Sequence, residues 1–155
     1  MDFKKITLPD VGALRPYLRG QYRSCDYSVL GVFMWADRFG YEYNISDGVL
    51  FMRERSRSGG RYDYLLPLGE GSLCDRVRAL RDAVGEKLTM SLVPEAALDE
   101  LRQEFNFTAA EEPDIADYMY RAGDLAYLAG KKYSKKRNLI HQFEKLYPDY
   151  TLEPI

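Results

Sequence analysis

One histidine, one tryptophan and two cysteines in 155 residues leave little material for the commoner metal and nucleophile chemistries. Cys25 and Cys74 stand far apart with no C-x-x-C spacing, so the chain spells out neither a redox pair nor a zinc ligand set. Two thiols in a chain of this size fit a reducing compartment, with a single disulfide left open. His141 has no serine or cysteine at motif spacing, which argues against Ser-His-Asp or Cys-His catalysis. No metal is expected. The longest apolar run, residues 29–36, falls far short of the ~20 residues that cross a bilayer. The start, MDFKKITLPD, lacks the apolar stretch of a secretory signal. A cytoplasmic protein without a transmembrane segment is therefore expected, and peripheral contact with a membrane surface stays open. Nor is there an overall excess of positive charge. The net charge of −2 excludes the globally basic character of many nucleic-acid-binding domains.

What the chain does have is a hydrophobic content of 46% beside 30% charged residues, enough to bury a core and too apolar for disorder. Thirteen tyrosines suit half-buried strands and the walls of grooves, because each combines a large ring with a polar tip. Charge is unevenly placed. Residues 95–124 hold nine acidic side chains against two basic ones, whereas residues 131–146 hold six basic against one acidic.

Periodicity and turn chemistry predict interleaved strands and helices. Residues 3–8 read as a short strand, 10–21 as a helix bent at Pro16, and 28–38 as a helix carrying Leu30, Phe33, Met34 and Trp35 onto a sheet. Runs at 41–45 and 49–53 flank Ser46-Asp47-Gly48, a strong hairpin signal. The polar stretch 55–60 reads as a loop and 62–66 as a strand. Ser72 then caps a helix with Asp75 three residues on, and Leu73, Val77, Leu80 and Val84 form its apolar stripe. Residues 88–93 read as a strand, and Pro94 opens a helix that turns Ala97, Leu98, Leu101 and Phe105 inward. Two further strands are expected at 107–110 and 115–121, a helical turn at 124–129 ended by Gly130, and a helix at 135–147. Its apolar face is Leu139, Ile140, Phe143, Leu146 and Tyr147. The fold class is α/β in the α+β sense: a mixed sheet, because of the early hairpin, flanked by helices. An extended segment at 151–155 suggests that the native polypeptide continues.

One segment points to a ligand. Lys131, Lys132, Lys135, Lys136 and Arg137 crowd the start of the last helix, with Asn138 beside them. Cations there oppose the positive end of the helix dipole, whereas a bound anion would reverse the penalty through the free backbone N–H groups. Lys136 also shares the arc of the apolar stripe. A solvated basic turn that pairs with the preceding acidic stretch is the competing reading. The turn Leu68-Gly69-Glu70-Gly71-Ser72 matches neither phosphate-loop pattern and reads as an ordinary strand-to-helix connection. Tyr118 and Tyr120 would share one side of the strand at 115–121, where they line a groove or fill the core. No carboxylate stands out as a general acid or base, and the catalytic residues stay unknown.

The residues Asp117-Tyr118-Met119-Tyr120, Asp124-Leu125-Ala126 with Leu128, and Gly130 through Asn138 with Phe143 carry a resemblance. They resemble the pattern D-Y-[IV]-Y, a helix with L-x-x-L, then G-K-K-[YF]-x-x-K-R-N of a bacterial family grouped with the C-terminal domain of phosphatidylglycerol lysyltransferase. Met119 departs from the usual Ile or Val. The resemblance implies the acyl-CoA N-acyltransferase (GNAT-like) fold. It also implies that residues 1–155 form one GNAT-like domain, the N-terminal half of a two-lobed protein of about twice the length, with a second GNAT-like lobe as its partner. It implies an acyl- or aminoacyl-transferase, with aminoacyl-tRNA or an acyl-CoA as donor and an amine or hydroxyl as acceptor. Under it, Lys131, Lys132, Lys135, Lys136 and Arg137 hold tRNA or CoA phosphates, and Asn138 helps to fix the helix start. The usual CoA-binding Q/R-x-x-G-x-G/A loop is not present in the sequence. The alternatives are a non-catalytic module that binds RNA or another polyanion and a structural half-domain that supports a second catalytic lobe.

Overall fold

The computed structural model describes every residue except 21, 23, 58, 86, 117, 154 and 155. The chain divides into two compact units, Met1–Glu112 and Pro113–Ile155.

The first unit is built around an antiparallel sheet. Strands β1 (Lys4–Lys5), β2 (Glu42–Ser46), β3 (Val49–Arg55) and β4 (Tyr62–Tyr64) lie in that order, and β5 (Leu68–Gly69) pairs with the start of β3. The β2–β3 hairpin forms where Asp-Gly predicts it. Asp47 (φ 51°) and Gly48 (φ 72°) both take the left-handed conformation, which matches the twist of the flanking strands and sets Ser46 opposite Val49. Gly69 is required by close approach: a Cβ there would lie 2.2 Å from the Gly48 carbonyl oxygen.

Pleating sends the side chains of β3 to two buried faces. Leu50 and Met52 join the larger core with Leu14, Val32, Ala36 and Leu66, while Val49 and Phe51 meet Tyr64 and Leu80 on the other side. The larger core draws on α1 (Val11–Leu14), α2 (Val29–Phe39) and, through Leu73 and Val77, α3 (Leu73–Val84), whose Leu80 belongs to the second cluster. Thus the sheet is flanked by helices, and the fold class is α+β.

Caps match the sequence closely. Ser28 Oγ accepts from the Gly31 amide at 3.0 Å and opens α2, and Ser72 Oγ accepts from the Asp75 amide at 3.1 Å and opens α3. The helix α4 (Glu95–Arg102) follows Pro94 and buries Ala97 and Leu101.

Several expectations need correction. The helix expected over residues 10–21 is a single turn, α1, that ends before Pro16, which has no backbone N–H to continue the helical ladder; Gln21 lies outside the described residues. In α2 the inward stripe is Val32 and Ala36 with Val29 and Phe33. Leu30, Met34 and Trp35 are exposed, because the helical period turns them away from that stripe. Residues 88–93 form no full strand. A single parallel bridge joins Tyr64 to Met90, with the Tyr64 amide donating to Thr89 O and the Ser91 amide to Tyr64 O, at 2.9 and 3.0 Å. That bridge is the one parallel pairing among the described residues; all named strands pair antiparallel.

In the second unit, residues 107–110 aside, the strand expected at 115–121 is also missing among the described residues. A 3-10 turn covers Pro113–Ile115 and the chain then runs irregularly to Arg121, with Asp117 outside the described residues. Residues 107–110, at the end of the first unit, likewise form no strand. Two short apolar runs without neighbours to pair with gain no ladder hydrogen bonds, whatever their propensity. The helices α5 (Ala122–Tyr127) and α6 (Ser134–Leu146) form within two residues of their expected bounds. No helix among the described residues is long and apolar enough to cross a membrane.

Candidate functional site

The basic segment lies at the junction between α5 and α6, and its backbone path is set by two residues of left-handed or open conformation. Leu128 (φ 47°) ends α5 with its amide on Asp124 O, and Gly130 (φ 86°) turns the chain into a 3-10 turn over Lys131–Tyr133. That turn runs directly into α6. The amides of Tyr133 and Ser134 already bond Gly130 O and Lys131 O, so helical winding starts ahead of α6 itself. No side chain caps the start of α6.

The five cations divide into two kinds. Lys132 Nζ lies 3.0 Å from Asp124 Oδ2, which also accepts from the buried Tyr133 hydroxyl at 3.1 Å. The Lys132 bond, then the Tyr133 bond, hold the Asp124 carboxyl below the usual carboxylate range, and Asp124 in turn raises the Lys132 ammonium. Arg137 turns back onto the backbone: its Nη1 donates to Leu128 O and, at 2.9 Å, to Gly130 O. These two cations hold the junction in shape. Lys131, Lys135 and Lys136 are exposed, and no ion pair or side-chain hydrogen bond engages them among the described residues. Asn138 is exposed as well and makes no capping bond.

The competing reading, a basic turn paired with the acidic stretch before it, thus holds for one lysine of the four. Asp124 and Tyr133 are the residues that sequence reasoning missed here. Asp124 and Lys132 lie on either side of the turn made by Leu128 and Gly130, and that turn brings the two together.

Tyr118 and Tyr120 do not reach a groove or a core in the second unit; they are 89% and 51% exposed. The predicted apolar face of α6 does form, since Leu139, Ile140, Phe143, Leu146 and Tyr147 share one side, yet all five are 44–73% exposed. Phe143 packs against Tyr147 (tilted) and Tyr150 (edge-on) at 5.1 and 5.0 Å between ring centres, forming an aromatic cluster. Among the described residues no group of three His, Cys, Asp or Glu side chains is placed to hold a metal ion.

Comparison with known proteins bears on this junction directly. The family model for phosphatidylglycerol lysyltransferase, C-terminal, matches residues 19–155, the whole basic segment included. A crystal structure of a conserved protein of unknown function from Bacteroides thetaiotaomicron VPI-5482 is similar over all of this chain, with 30% identity and a TM-score of 0.77. The chain spans 54% of that protein's length. None of the curated proteins matches.

Proposed function

The chain belongs to the phosphatidylglycerol lysyltransferase C-terminal family, whose fold is GNAT-like, and it is related to acyltransferases; from that premise we propose that it takes part in acyl or aminoacyl transfer. The donor is an aminoacyl-tRNA or an acyl-CoA, and the acceptor an amine or a hydroxyl. The acceptor's lone pair attacks the carbonyl carbon, a C–N or C–O bond forms, and the donor's C–O or C–S bond breaks. The acceptor's proton ends on the departing hydroxyl or thiol. Positioning of donor and acceptor lowers such a barrier without a dedicated protein nucleophile.

Lys131, Lys135 and Lys136 take the donor phosphates in this reading, while Lys132 and Arg137 shape the turn that presents them. The observation that carries it is the division of labour among the cations. Two are fixed by internal partners, and three have no ion pair among the described residues, at a helix start where cations alone are unfavourable. Phosphate at this terminus would meet both side-chain charge and the dipole.

We further propose that the catalytic unit is two-lobed and that this chain supplies one lobe. The exposed apolar side of α6 and the 54% coverage of a similar protein support that arrangement. A structural half-domain is the second reading, and the use of Lys132 and Arg137 as internal ties favours it.

Binding of charged tRNA, uncharged tRNA and CoA across a salt series separates the readings. Donor binding should weaken steeply with salt and be lost in the Lys131→Ala/Lys135→Ala/Lys136→Ala variant. Equal binding by wild type and variant would remove the segment from the donor site.

A further inference from the structure

A second feature lies in the first unit, away from the basic segment. A cleft of about 350 Å³ opens beside the start of α3, lined by Tyr22, Leu73, Arg76, Ala96, Ala97 and Glu100 among others. Its size is at the lower end of small-molecule sites, which run to about 300–1,000 Å³.

Arg76 is fixed in this wall by the loop it holds. Its Nε donates to Pro67 O at 2.9 Å, and Nη1 donates to Gly69 O at 3.0 Å and Gly71 O at 2.5 Å. The second terminal nitrogen, Nη2, has no partner among the described residues. A guanidinium anchored through Nε and Nη1 holds its one free nitrogen, Nη2, in a fixed position from which it can donate to a carboxylate. Glu100 stands on α4 in the same lining, and α4 is held to α3 by the Cys74 thiol on Glu100 O at 3.6 Å. Its carboxylate makes no hydrogen bond or ion pair among the described residues.

The two opposite charges therefore line one cleft without meeting. Both act on the phenol of Tyr22, whose hydroxyl has no hydrogen-bond partner among the described residues: burial raises its pKa, Arg76 lowers it and Glu100 raises it. Tyr22 is itself braced edge-on against Tyr27, 4.9 Å between ring centres. Arg76 is half-buried and Glu100 exposed, so a ligand with a single charge would pair with one wall and leave the other to solvent. A zwitterion satisfies both. Leu73, Ala96 and Ala97 add a small apolar surface beside them.

We propose that this cleft binds a free α-amino acid. Its carboxylate pairs with Nη2 of Arg76, its ammonium with Glu100, and its side chain lies against Leu73, Ala96 and Ala97. The Tyr22 hydroxyl donates to the same carboxylate. The site does not depend on the donor reading of the basic segment, and a failure of either leaves the other standing.

The test is calorimetric titration of the chain with glycine, alanine, leucine, lysine and glutamate. The N-acetyl form of each, and the amine lacking the carboxylate, serve as controls. At least one free amino acid should bind saturably, and both of its analogues should bind about tenfold more weakly or worse, since each leaves one wall charge unpaired. Arg76 also holds the Gly69–Gly71 loop, so its loss would mix folding with binding. Glu100→Gln avoids this, and thermal unfolding should show it as stable as wild type. It should weaken the free amino acid about tenfold and erase the preference over the N-acetyl form. No saturable binding of any of the five, or unchanged discrimination in Glu100→Gln, overturns the proposal.

Discussion

Arg137 donates to the carbonyl of Gly130 at 2.9 Å, closing the turn that carries the basic segment from within that segment. The same nitrogen also serves Leu128 O, one residue past the end of α5. A residue that looks by sequence like one more phosphate ligand is thus a brace for its neighbours.

That relationship makes Arg137→Lys informative. The substitution keeps the charge but replaces the rigid guanidinium, whose Nη1 serves both carbonyls, with a flexible, strongly hydrated ammonium. The junction should lose on the order of 1 kcal/mol of local stability. Amide hydrogen exchange should quicken over residues 131–137 while the salt dependence of polyanion binding stays near that of wild type. A fall in binding with no change in exchange would make Arg137 a ligand contact instead.

Asp124 tests the same junction from the acidic side. Asp124→Asn removes the partner of Lys132 and leaves a further cation free. Polyanion affinity should rise, and the slope of log affinity against log salt should steepen by about one. Stability moves the other way. The folded carboxyl sits below its ordinary value because Lys132 and Tyr133 hydrogen-bond its charged form. Its contribution is therefore present above the unfolded value near 3.8 and is lost as pH falls through the lower folded one. Wild type and Asp124→Asn should converge in thermal stability in acid and differ at neutral pH, with wild type the more stable.

How much of this was legible in the residues depends on how local each signal is. The Asp47-Gly48 hairpin and the Ser72 cap are decided within four residues, and both formed as read. The GNAT-like fold and the family were legible through the pattern around Lys131–Asn138 rather than through periodicity. Failures fell where the deciding partner is distant. The propensity of residues 88–93 is that of a strand, yet only Met90 finds a pairing partner, Tyr64. Leu30, Met34 and Trp35 are apolar enough for a core, but Val32 and Ala36 own the arc that faces one. In the site, five cations read alike until the turn at Leu128 gives two of them internal acceptors. The cleft beside α3 has no sequence signature at all, since Tyr22, Arg76 and Glu100 come from three separate segments.

Tyr27 is the clearest test of the core. Its side chain is 1% exposed, its hydroxyl donates to Leu92 O at 3.0 Å and accepts from the Leu66 amide at 3.1 Å. One phenol thereby satisfies both buried backbone groups, and it holds Leu92 in a left-handed conformation at φ 54°. Tyr27→Phe keeps the ring and orphans both groups, at a cost of about 1–3 kcal/mol in chemical denaturation. A neutral result would mean that water replaces the hydroxyl.

Glu54 carries the last prediction, because it works against the fold. It is the buried charged residue of β3, 3% exposed, and burial pushes its carboxyl above the ordinary value; Ser91 and the Arg57 charge offset only part of that. A carboxyl whose folded value is raised binds its proton more tightly in the native state. The native state is then favoured most at low pH, and stability declines as pH rises from the ordinary value near 4.5 through the raised one. Glu54→Gln keeps the shape and removes the ionisation. The variant should match or exceed wild-type stability at neutral pH and lack the decline between those two values. If instead Glu54→Gln is the less stable protein at neutral pH, the ionised carboxylate is held by its neighbours more strongly than its burial disfavours it, and the sign argued here is reversed.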